Sequence, residues 1–327
     1  MNIILSENIT LIIVALITAV IIHELGHTVA ALLIRRRILW VSVGPIYWLN
    51  LSWHQGFFWG KPVPGTIGSV YSSIRENEVD RLFPAALLLL GGVIANLLTV
   101  PLGYEASIMI QPGSMSQFFD HLVVVSAFLL ITNLFPIGHS DGAQLFKLID
   151  SNGINPEHLA KQTIHLEILE GVTPSHWPDQ VIADLDQSAA PDTQTLSLAL
   201  KAEKALATDA IEKAETLINT LEKRLPESST HIGKVYYMLR TELLIRNNNT
   251  EAAKKTLKQA LPYHVPASVW FANAEIALAE GRHQQAHTIA NKAIKYLAKC
   301  PWARGYYNEL NKRWSTLSSG FNNLHQN

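Results

Sequence analysis

The sequence predicts a mainly α-helical protein in two parts. The first is a polytopic membrane core of three transmembrane helices with a membrane-associated β-hairpin loop; the second is a soluble helical domain of repeat-like character. Three observations carry this expectation. Charge is divided unevenly: of 26 Lys+Arg and 27 Asp+Glu in 327 residues, residues 1–150 hold only 7 and 9, leaving 19 and 18 for the remainder. Three long stretches almost free of charge lie in that first half, and small residues recur at fixed spacing in the second. The expected division is 1–148 for the membrane core, 149–195 for a linker and 196–320 for the tail domain.

The first stretch, 8–34, has Glu24 as its only formal charge. A helix of 27 residues spans about 40 Å, more than the roughly 30 Å hydrocarbon core. No Lys or Arg precedes it and it is much longer than a signal-peptide core, so it is expected to be retained. Two further spans are expected at 82–104 and 118–135, the latter with Asp120 near its start. Arg35, Arg36, Arg37, Arg75 and Arg81 lie between the first two spans, whereas 105–117 has no Lys or Arg. The positive-inside rule then puts the 35–81 side and the tail in the cytoplasm and the N-terminus outside.

Between these spans, 39–73 contains Trp40, Trp48, Trp53 and Trp59 together with Pro62, Pro64 and Gly65. Tryptophan favours the membrane interface, and short β-branched runs at 41–43 and 66–71 favour strands. Composition alone reads as a surface hairpin lying on the headgroups.

The chemistry is concentrated in the first span, where His23-Glu24-Leu25-Gly26-His27 forms a His-Glu-x-x-His string. With 13 His and 18 Glu in the chain, chance gives roughly 0.03 such strings. On a helix, i and i+4 share a face, so both imidazoles can reach one zinc ion, and Glu24 beside them can take a proton from metal-bound water. An unpaired carboxylate in hydrocarbon is expensive and marks function. Catalytic zinc takes a third protein ligand. Asp141, directly after the third span, is the candidate, because a span running in the same direction as the first brings it out at the level of His23 and His27. On local grounds alone Asp141-Gly142 reads as a turn. His139 is a further polar candidate.

Together these residues resemble the site-2 protease family of intramembrane zinc metalloproteases. That family carries His-Glu-x-x-His in its first core span and an Asn-x-x-Pro-x-x-x-x-Asp-Gly pattern at the end of its third. Asn133, Pro136, Asp141 and Gly142 match the latter in type and spacing, and Gly92 with Asn96 matches a Gly-x-x-x-Asn stretch in the second span. Val93 and Ser140 depart from the common residues at their positions, and neither departure removes a ligand. The resemblance covers about 8–145. It implies a zinc metalloendopeptidase that hydrolyses transmembrane or membrane-associated peptides, with Zn2+ on His23, His27 and Asp141 and with Glu24 as the catalytic base. It also implies that Asn96 serves the substrate or the oxyanion, although a helix-packing role is an equal alternative, and that the loop at 39–73 offers an edge strand at 62–71 to an unwound substrate. A different class of function, a membrane-anchored adaptor with an inactive core, is disfavoured by the retention of all four chemical residues. A metal transporter fits poorly with three spans.

The tail carries no catalytic constellation. Pro174, Pro178, Pro191 and several Asp make 171–194 read as irregular linker. Beyond it, Ala253, Leu257 and Ala260 recur 33 residues later as Ala286, Ala290 and Ala293, with a looser copy at Ala214, Ile218 and Leu221. That interval resembles tetratricopeptide repeats, whose period is 34 residues, and implies a cytoplasmic protein partner. The near-zero net charge of −1 argues against nucleic acid, and Cys300, the single cysteine, excludes an intrachain disulfide.

Overall fold

The structure is a computed structural model describing residues 2–74, 78, 81–138, 140–150, 156–225, 230–260, 266–312 and 314. The chain is mainly helical and divides into two compact units, Met1–Leu159 and Ala160–Asn327.

In the first unit, α1 (Asn2–Leu33), α2 (Leu82–Met109) and α3 (Ser114–Leu134) are long and apolar enough to cross a membrane. Their outer surfaces are apolar: Ile13, Val29, Leu98, Leu102, Val124 and Phe128 are all exposed. Where the helices meet, side chains are small. A methyl at Gly91 would fall 2.5 Å from the Gly26 carbonyl oxygen and 2.9 Å from Cβ of Ala30, so α1 and α2 touch almost backbone to backbone. On α3, by contrast, Leu122 and Ser126 are the buried residues.

The segment between α1 and α2 differs from the expected hairpin. It is a four-stranded antiparallel sheet of β1 (Ile38–Val43), β2 (Ile46–Leu51), β3 (His54–Trp59) and β4 (Gly68–Ser72), in the order β3-β2-β1-β4. The aromatic run 46–59 turns back on itself through a tight turn before His54, giving two strands where composition suggested an interfacial ribbon. Alternation is clean on β2: Tyr47, Leu49 and Leu51 are buried, while Ile46 and Trp48 face outward. The register pairs Ile46 with Trp59 and Trp48 with Phe57, so these four outward side chains form one exposed apolar patch. Trp40 stacks on Tyr71 at 4.8 Å and donates its indole N–H to Ser69 Oγ, which locks β4 to β1 and leaves β4 at the edge of the sheet. Arg36, counted above among the loose cationic flanks, is instead buried in an ion pair with Glu78.

After α3 the chain turns at Gly138, whose φ of 63° suits glycine, and enters α4 (Asp141–Asp150). Ser140 caps that helix: its hydroxyl accepts the N–H of Ala143 at 3.1 Å.

The second unit corrects the reading of 149–195 as a linker. It holds most of α5 (Pro156–Glu170) and all of α6 (Asp179–Asp186), and with Trp177 between them they close a core: Ile164, Trp177, Ile182 and Leu185 are buried against Leu200 of α7 (Pro191–Ala207). The prolines that read as breakers stand at helix starts, where a missing N–H costs nothing. Beyond them, α7 pairs with α8 (Ile211–Arg224), α9 (Thr230–Arg246) with α10 (Thr250–Ala260), and α11 (Pro266–Ala279) with α12 (His283–Leu297). Each pair turns through three residues whose middle one is left-handed: Asp209, Asn248 and Gly281. The same three backbone hydrogen bonds close each turn. The repeated triplets fall on the inner face of each second helix, with Ala214, Ile218, Leu221, Ala253, Leu257, Ala260, Ala286, Ala290 and Ala293 all at most 3% exposed.

Candidate metal centre

His23, Glu24 and His27 lie in the last third of α1 and are 7%, 6% and 9% exposed. Helical spacing brings the two rings edge to face, with centroids 4.7 Å apart. Room for them comes from α2, because a methyl at Gly92 would fall 2.5 Å from His27 Nε2 and 2.6 Å from His23 Nε2. Asp141 reaches the same point from the first turn of α4. Its Oδ2 lies 3.1 Å from His23 Nε2 and 3.3 Å from His27 Nε2, and the two nitrogens are 3.1 Å apart. The turn reading of Asp141 is therefore wrong in detail: it opens a helix, where the dipole favours its negative charge. Gly142 is required beside it, because a methyl there would fall 2.6 Å from the Leu134 carbonyl carbon. Burial pushes the Asp141 carboxyl up, but the two histidines packed against it outweigh this and hold it down at about 2.

The donor set fits a zinc ion. Ligands about 2.0–2.1 Å from a tetrahedral metal lie about 3.3 Å from one another, close to the 3.1–3.3 Å found here. Two ring nitrogens and a carboxylate oxygen this close repel unless a proton or cation sits among them. His27 Nδ1 lies 2.7 Å from the Leu88 carbonyl and 3.3 Å from the Gly92 N–H; donation to the nearer carbonyl leaves Nε2 with its lone pair, the form a metal takes. Asn96, fully buried, lies 3.0 Å from His23 Nδ1 through its amide nitrogen, while its Oδ1 has no partner.

Glu24 is covered by the edge strand. A methyl at Gly68 would fall 2.7 Å from its Cγ and 2.8 Å from its Cδ, so β4 passes directly against the carboxylate. Sequence reasoning read Gly68 as one more strand residue, although a glycine inside a strand is itself a sign of close backbone approach. The structure thus brings together His23, His27, Asp141 and Asn96, with Glu24 beside them under β4. His139 lies outside the described residues. Among the described residues, His23, His27 and Asp141 are the cluster suited to a metal ion. Compared with known proteins, the chain matches no family model, no curated protein and no solved structure.

Proposed function

We propose that the protein is an intramembrane zinc metalloendopeptidase of site-2 protease type, cutting transmembrane or membrane-associated peptide segments. The observation that carries the reading is the convergence within 3.3 Å of two imidazole nitrogens from α1 and one carboxylate oxygen from α4, with His23 and Asp141 118 residues apart in sequence. The apolar exteriors of α1, α2 and α3 and the outward patch of Ile46, Trp48, Phe57 and Trp59 support a membrane setting. Arg35, Arg37, Lys61 and Arg81 support a cytoplasmic side for the sheet, with the N-terminus outside.

Zinc held by His23, His27 and Asp141 would act as a Lewis acid on the scissile carbonyl and acidify a water. Glu24 takes the water's proton and hands it to the leaving amine, a transfer favoured by its shielding from bulk solvent under β4. Asp141 stays anionic at neutral pH, as a ligand must. A helical substrate must unwind before its carbonyl is reached, and the free edge of β4 beside Glu24 offers backbone partners to an extended chain. Among the described residues the helical hairpins of the second unit carry no comparable cluster, and they suit recruitment of a cytoplasmic protein partner.

The test is a pair of variants of the full-length protein in detergent. Glu24→Gln is expected to keep near-stoichiometric zinc and abolish cleavage of a short transmembrane reporter. His23→Ala/His27→Ala is expected to lose both. Wild-type turnover by Glu24→Gln would sink the mechanism, and undiminished zinc in the double variant would sink the site.

A further inference from the structure

The two histidines are oriented by different kinds of group. His27 Nδ1 lies 2.7 Å from the Leu88 carbonyl oxygen, which can only accept, and 3.3 Å from the Gly92 N–H; the shorter contact places the proton on Nδ1 and leaves Nε2 to ligate. The partner of His23 Nδ1 is the Asn96 amide nitrogen, which can only donate. In that arrangement His23 carries its proton on Nε2, directed at Asp141 Oδ2 3.1 Å away, and cannot bind a metal through that atom. The other end of the same amide, Oδ1, is buried without a hydrogen-bond partner. A half-turn of the amide exchanges two groups of nearly equal size, presenting an acceptor to His23 Nδ1 at the same place. The proton then moves to Nδ1, and Nε2 joins His27 Nε2 and Asp141 with a lone pair.

We propose that Asn96 is the positioning residue of His23: its amide turns to accept the Nδ1 proton and thereby fixes the tautomer in which Nε2 holds the metal. This rests on the metal site proposed above and replaces the roles in oxyanion binding or helix packing expected from sequence. The turn shifts the unpartnered end of the amide from oxygen to nitrogen, so the gain is at the imidazole. Gly92, one turn before Asn96 on α2, lets the helix approach closely enough for the contact.

The experiment measures zinc affinity of the full-length protein by competition with a chelator, for wild type, Asn96→Ala and Asn96→Asp. Loss of a group that orients a ligating histidine weakens metal binding about 10–100-fold, so Asn96→Ala should fall in that range. Asn96→Asp keeps an acceptor and should stay within about threefold of wild type. Wild-type affinity in Asn96→Ala overturns the proposal, and so does equal weakening in both variants. If Asn96→Ala does not fold, Asn96→Asp decides alone: retained affinity supports the proposal and a tenfold loss overturns it. A residue serving only the oxyanion would leave zinc untouched in both variants while cleavage fell, which also overturns it. Zinc binding by wild type with an indifferent Asn96 removes this inference alone, whereas a wild type that binds no zinc removes the metal site as well.

Discussion

In the first unit several glycines stand where polar side chains need room, whereas in the second unit small residues stand where apolar helices need to touch. Gly92 leaves space for two imidazoles, Gly68 for a glutamate and Gly142 for the close approach of the α4 start to the end of α3 beside Asp141. Ala214, Ala253, Ala286, Ala290 and Ala293 leave no space at all; they are the seams of the helical hairpins. The same economy of side-chain volume thus serves opposite ends. In one unit it admits a cluster of buried polar groups, which pair chiefly with one another. In the other it brings apolar helix faces into contact, and the result is a scaffold.

The sharpest way to break this comparison is to cut between the units. Truncation after Leu159 is expected to leave zinc binding intact. Truncation after Thr195 should not be innocent, because it strips Leu200 from Ile164, Trp177, Ile182 and Leu185. Each of those side chains loses about 1.5–3 kcal/mol when re-exposed, so the longer fragment should be the less soluble one and the more readily proteolysed. Equal behaviour of both fragments would mean that 160–195 is a linker after all.

A smaller effect is expected at Gly68. Val at this position must push aside either β4 or Glu24, and displacement of a reacting group by about 1 Å costs roughly 100-fold in rate. Cleavage should therefore fall by about two orders of magnitude while zinc content is unchanged. Ile67→Ala, at an exposed neighbour, should have little effect. Loss of zinc in Gly68→Val would show instead that the strand supports the ligands.

The smallest effect concerns pH in the second unit. Burial, reinforced by the charge of Glu242 and opposed by a hydrogen bond from Tyr306, pushes Glu203 up from 4.5 to about 8. The folded form therefore holds a proton that the unfolded form releases. Its stabilising share is complete below about 4.5 and is lost as pH rises through about 8. Glu203→Gln should flatten this decline and raise stability at pH 8 by about 1–2 kcal/mol, discounted for partial exposure. Parallel thermal-unfolding profiles from pH 5 to 9 would refute the assignment.

Much of the architecture was legible in the chain. Helical spacing by itself puts His23 and His27 on one face, and the 33-residue echo of Ala253, Leu257 and Ala260 by itself marks second helices that pack alike. Apolar runs of 18–27 residues with at most one formal charge mark the three long helices, because only a helix would satisfy the backbone of such a run in an apolar surrounding. Prolines misled in 171–194 because a proline at a helix start and a proline in a loop look the same without the partner surface that decides between them. The same holds for 46–59, whose aromatic content is right for an interface and equally right for strands. What tertiary structure alone decided is which distant groups share a point. Nothing local in Gly68 says that Glu24 lies against it, and nothing in Asn96 says which end of its amide faces His23. These are consequences of how closely α1, α2 and β4 approach, and that distance is set by missing side chains on one element whose effect is felt only on another.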